Sequence, residues 1–241
     1  MTIERIHQEI NFRWNKLNSN HKKGFPAAYL DDAINKASED YVEIFYSGNN
    51  SKQYKFGFEV TQQRIDLLQS LIVPETAYTV TTINPEQFSL DLSTLEPKYR
   101  HFLRAYIIPT ECPDKIIPVT ITRLNDLDVK LVDHNTQPSL LWNRCLGSIK
   151  ANSLRLYTKG YAVQNCYLEY LADPVKVFSG GYDSLEFIHG DAFAYRSSSP
   201  KVTSNLSNHD ILIDMTVQYI AATLEDVNKF QLQEKQILNK V

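Results

Sequence analysis

Apolar residues recur along the chain in two rhythms, and the switch between them divides it. Near the start, Ile3, Ile6, Ile10, Trp14 and Leu17 keep the three- and four-residue spacing of one helix face, and Asn18-Ser19-Asn20 ends the run. A second helix is predicted after Pro26, a residue suited to a first helical turn. Leu30, Ile34, Ala37, Tyr41 and Ile44 repeat at four, three, four and three until Gly48. A third, shorter helix is predicted from Glu59 to about Leu71, with Ile65, Leu68 and Ile72 inward and Pro74 beyond its end. From Ala77 the texture becomes short runs of Thr, Val, Ile and Tyr separated by prolines, which is how strands and turns read. Strands are predicted near Tyr78–Ile83, Phe88–Leu92, Tyr99–Ile108, Ile116–Arg123, Ser153–Tyr157, Cys166–Tyr170 and Val175–Phe178. Asn125 to Asp133 reads either way, because Leu124, Leu127 and Leu131 suit a helical turn as well as a strand. Gly180-Gly181 reads as a hairpin turn, and His189 to Ser207 as a long loop.

The last rhythm is helical again. Nine of the ten prolines lie between Pro74 and Pro200, and from Lys201 to Val241 there is neither proline nor glycine. Ser207 or Asn208 is placed to cap a helix beginning near His209 and running toward Asn239; about thirty residues of it reach roughly 45 Å. Ile213, Val217, Ile220, Leu224 and Val227 form one stripe, with Leu212, Met215, Tyr219 and Ala222 beside it. So wide an apolar arc must be covered on more than one side, by the chain itself or by other subunits. Beyond Lys229 the stripe thins to Phe230, Ile237 and Val241, a pattern that suits a rod docking on a partner and also one that frays. The partner-binding residues expected here are Ile213, Val217, Ile220, Leu224, Val227, Phe230 and Ile237. The fold class expected is α+β: a helical bundle from the N-terminal and C-terminal helices with an inserted β-sandwich-like or barrel-like domain. Its boundaries are 1–73 for the N-terminal helical part, 74–206 for the β-rich domain and 207–241 for the long terminal helix.

Composition narrows the function classes. A chain of 241 residues, 43% hydrophobic and 22% charged, is long enough for a sizeable core, and a net charge of −3 supplies no global attraction to nucleic acid or anionic lipid. No stretch approaches the ~20 apolar residues of a membrane span, and Met1-Thr-Ile-Glu-Arg-Ile-His lacks the features of a signal peptide, so a product made in the cytoplasm is expected. Cys112, Cys145 and Cys166 are odd in number and form no Cys-x-x-Cys pair, which fits buried thiols better than a disulfide framework or a zinc site. No phosphate-binding glycine loop, dinucleotide fingerprint, nucleophile elbow or His-Glu-x-x-His motif is present, and no cofactor is expected.

Three constellations remain. Asp133-His134, near Cys145 and together with His189-Gly-Asp191, offers a carboxylate, an imidazole and a nucleophile for a small cytosolic hydrolase; polar turns are the plainer reading, since neighbours on a strand face opposite ways. Asp126 and Asp128 with Asp133 suggest a cation loop, but the glycine of such loops is missing. From Asn11 to Leu30 there is no acidic residue, and Arg13, Lys16, Lys22 and Lys23 lie near Phe12 and Trp14. That patch is either a DNA-contacting face or a solvated helix end favoured by the helix dipole.

Five segments carry a family resemblance. They are the N-terminal helix pair with Ala28-Tyr-Leu, Ala37-Ser-Glu-Asp-Tyr-Val and Tyr46-Ser-Gly-Asn; Gly57-Phe-Glu; Arg64-Ile-Asp-Leu-Leu; Leu168-Glu-Tyr-Leu-Ala-Asp-Pro-Val-Lys-Val; and His209-Asp-Ile-Leu-Ile-Asp-Met-Thr-Val-Gln-Tyr-Ile-Ala. In order and spacing the chain resembles the head-to-tail connector (ring or adaptor) proteins of short-tailed, crAss-like bacteriophages. One departure stands before the last helix, where the family carries a proline-containing turn and Val202 to Asn208 has none. The resemblance implies a non-enzymatic virion protein, a homo-oligomer closing as a ring that is commonly twelve-fold. Such a ring sits between the portal protein and the tail or further ring proteins, with DNA passing through its lumen and no membrane contact.

Overall fold

The structure is a computed structural model and describes residues 1–17, 25–47, 65–180 and 201–223. It is a mixed α+β chain that divides into two compact units, one of Met1–Leu71 with Pro174–Val241, the other of Ile72–Asp173. Among the described residues the helices are α1 (Ile3–Leu17), α2 (Ala27–Ser47), α3 (Leu124–Val132) and α4 (His209–Thr223), with a helical turn over 65–71. The strands are β1 (Ile72–Thr79), β2 (Thr81–Asn84), β3 (Gln87–Asp91), β4 (Tyr99–Pro109), β5 (Ile117–Ile121), β6 (Cys145–Lys150), β7 (Ser153–Tyr157) and β8 (Val163–Ala172).

In the first unit the helical spacings act as read. Ile3, Ile6, Ile10 and Trp14 of α1 are buried, as are Leu30, Ile34, Ala37 and Tyr41 of α2. The Asn208 side chain accepts from the Ile211 amide at 3.2 Å and so caps α4, satisfying one of the amides that a helix start leaves without a partner. α4 packs against both α1 and α2. From Ile211 to Val217 seven consecutive residues are buried, which spans every side of the helix for about two turns.

Two returning segments complete this unit. Asn35 of α2 accepts from the Val177 amide at 2.7 Å and donates to its carbonyl at 3.2 Å, so one side chain imitates a strand partner. Asp31 accepts from the Ser179 amide at 2.7 Å and lies 2.7 Å from the His7 imidazole of α1. Phe178 and Val202 exchange both backbone bonds, at 3.0 and 2.7 Å. Val175–Phe178 is therefore no strand of the sheet, and the β-rich unit closes at Asp173 rather than at 206. The cause is that Val177 and Ser179 find their hydrogen-bond partners on α2.

The second unit is a curled eight-stranded sheet, half of a barrel, in the order β1-β8-β4-β5-β6-β7-β3-β2. The strands at the two ends of that order, β1 and β2, are separated in the chain by Val80 alone, whose amide donates to the Gln164 carbonyl at 3.1 Å. Strand alternation places Phe88, Leu90, Leu154, Leu156, Leu168 and Tyr170 in one buried cluster. Among the described residues only β5 and β6 pair in parallel, and a parallel pair needs a long crossover; α3 and the loop after it provide it. The ambiguous stretch from Asn125 to Asp133 is thus mostly helix. β6 was not among the predicted strands, because four consecutive residues from Cys145 to Ser148 are buried and give no alternation. Ile65 is 47% exposed rather than inward, and Leu68 and Leu71 are the buried residues of its turn. The expected helix start at Glu59, Gly181 of the expected hairpin, residues 189–200 of the expected loop and the helix beyond Thr223 lie outside the described residues.

Candidate assembly surface

The expected docking stripe is not available to a partner over its described half. Ile213, Val217 and Ile220 have no exposed surface, because α1 and α2 of the same chain cover them. Burial of each contributes about 1.5–3 kcal/mol to the fold. Leu224, Val227, Phe230 and Ile237 lie outside the described residues.

Of the basic patch, Arg13 is engaged internally. Arg13 reaches across to α4, where its guanidinium donates to the Asp214 carboxylate at 2.5 Å and the Asp210 carboxylate at 2.5 Å. Asp214 is buried, and Arg13 supplies it with a countercharge. Lys16 stands exposed in the last turn of α1; Lys22 and Lys23 lie outside the described residues.

Of the hydrolase constellation, Asp133, His134 and Cys145 lie among the described residues. Cys145 is wholly buried in β6, and burial, then the nearby Cys166, pushes its thiol up to about 12. Such a thiol is not an accessible nucleophile. Asp133 ends α3 and accepts from the Asn135 amide at 3.1 Å and the Thr136 hydroxyl at 2.9 Å, bonds that hold its carboxyl below the usual range. His134 lies 3.1 Å from the Gln137 amide nitrogen. These residues build a turn. His189 and Asp191 lie outside the described residues. Asp126 and Asp128 are exposed on α3, and among the described residues no group of three or more His, Cys, Asp or Glu side chains is placed to hold a metal ion.

The turn leads to an exposed apolar feature of the sheet unit. Ser139 and Arg144 exchange backbone bonds of 2.9 Å in each direction, and the four residues between them form a tip. Asn143 takes a positive φ of 49°, a conformation Asn tolerates better than most residues, and this turns the chain back. Leu140 faces inward against the core, while Leu141 and Trp142 point outward, 78% and 73% exposed.

The tip is braced from below. The Lys115 ammonium donates to the Leu140 carbonyl at 2.6 Å, and the Tyr161 hydroxyl to the Arg144 carbonyl at 2.9 Å. The Arg144 guanidinium donates to the Asn135 carbonyl, and the Lys159 ammonium to Gln137 at 2.6 Å. Val129 and Val132, three apart on the outer face of α3, are exposed as well. A backbone tip fixed by hydrogen bonds loses less entropy on docking than a free loop, and tryptophan is among the residues most enriched in binding hot spots. Sequence reasoning did not find this site. Its signal was the apolar triplet Leu140-Leu141-Trp142 set inside a run of turn residues, where exposed apolar runs are out of pattern.

Among the described residues no helix is long and apolar enough to cross a membrane. No protein-family model matches the chain, and no curated protein is significantly similar to it in sequence.

Proposed function

We propose that this protein is a non-enzymatic structural subunit that works by joining copies of itself, and that its place is a ring of a phage head-to-tail connector. The observation that carries the assembly reading is the braced Leu141–Trp142 tip: two large apolar side chains held in water by a frame of hydrogen bonds with no evident use inside the monomer. The connector reading rests on the ordered segments described from the sequence. In it, helices from both ends of the chain make a small bundle that carries an inserted barrel-like domain. Copies close into a ring, commonly twelve-fold, in the virion. The portal protein lies on one side, the tail or further ring proteins on the other, and DNA passes through the lumen. The subunit is made in the host cytoplasm and makes no membrane contact.

The chain has two tryptophans, Trp14 buried and Trp142 exposed, so acrylamide quenching of fluorescence reports mainly on the tip. As protein concentration rises, sedimentation velocity is expected to show multimers and quenching to fall together. A species that stays monomeric and fully quenchable across the range contradicts the assembly reading.

A further inference from the structure

A projecting knob implies a socket, and the helical unit carries a candidate. Between α2 and α4 runs an open groove of about 300 Å³, floored by Ile44, Met215, Tyr219 and Ala222 and rimmed by Asp40 and Glu43. That volume lies at the small end of side-chain and ligand pockets, room for an aromatic side chain and not for a helix. The rim acids occupy the final turns of α2, where the backbone dipole favours cations and where α2 has no basic residue. Burial first, and then the charge of Glu39, push the Asp40 carboxyl above its ordinary range, while Lys36 acts the other way.

The tip has complementary chemistry. Trp142 offers an apolar ring with a single N–H donor, Leu141 lies beside it, and Lys115 and Arg144 stand at the base. We propose that Trp142 of one copy seats in the α2–α4 groove of the next copy, with the Lys115 and Arg144 charges facing Asp40 and Glu43. This inference rests on the assembly reading above and names its interface. The two surfaces differ, so the contact is head to tail and repeats around a ring, whereas a two-fold dimer pairs one patch with itself.

The test uses the full-length chain. Trp142→Ala empties the knob and Ala222→Trp fills the socket; both sites are exposed, so the fold is expected to survive and is checked by circular dichroism. Each variant is expected to weaken association about tenfold or more in sedimentation velocity, the loss typical of a hot spot. A covalent readout accompanies it. Leu141→Cys and Ala222→Cys in one chain, over a Cys112→Ser background that leaves only buried native thiols, should give an oxidised ladder of linked copies. The two single variants mixed should give linked dimers and no ladder. A wild type that multimerises while both variants associate normally and no cross-link forms overturns the knob-and-socket contact and leaves the assembly reading standing. A wild type that never multimerises overturns both.

Discussion

One guanidinium helps to hold α4 in place. Asp214 is buried, and the charge it carries is met by Arg13, whose other side-chain nitrogen binds the exposed Asp210. Removing one partner of a buried pair leaves a charge in low dielectric, and Arg13 is partly solvated, which lowers the penalty. Arg13→Ala is expected to cost about 2–3 kcal/mol in urea denaturation, and adding Asp214→Leu should recover part of it. An unchanged midpoint for Arg13→Ala contradicts this role. At Asn35, the loss of both bonds to Val177 in Asn35→Ala is expected to cost about 1–2 kcal/mol, read in the same way. Thiol reactivity separates the cysteines: Cys112 should alkylate in the native protein at pH 8, while Cys145 and Cys166, both pushed up to about 12 chiefly by burial, should react only after unfolding. Mass spectrometry of iodoacetamide-treated protein checks this, and native labelling of Cys145 contradicts it. At this scale the sequence misleads where a charge has a distant partner. Arg13 sits in a run without acids, and its carboxylates come from about two hundred residues away.

Among the elements, the helices were legible and the sheet less so. Ile3 to Trp14 and Leu30 to Tyr41 carry a spacing that only a helix turns into one face, and α1 and α2 follow it. α4 was legible as a helix but not in its cover: a stripe exposed to a partner and a stripe buried by the same chain have the same letters. β6 was hidden because a strand buried on both faces loses its alternation. Within β6, Gly147 marks a tight approach, since a Cβ there meets the Val119 Cγ1 at 2.6 Å. Valine is stiff and this one is buried, so Gly147→Ala is expected to destabilise by about 1–3 kcal/mol in thermal or urea unfolding. A neutral effect contradicts the packing described for β5 against β6.

For the whole molecule, the division into two units makes a claim about folding. The sheet unit owns a buried cluster drawn from β3, β4, β5, β6, β7 and β8, so the fragment Ile72–Asp173 is expected to unfold cooperatively with near-ultraviolet circular dichroism intact. A fragment with secondary structure but no fixed aromatic signal contradicts that independence. The exposed tip was nearly silent in the sequence, because Leu141 and Trp142 belong to no periodic run and sit between the paired Ser139 and Arg144. The central claim is that copies of this chain join through exposed apolar side chains. Electron cryomicroscopy of the full-length protein, alone and mixed with a portal protein, tests it most directly: the account predicts closed rings of repeated copies with Leu141 and Trp142 buried at the contact, and solitary copies with Trp142 in solvent under both conditions would contradict it.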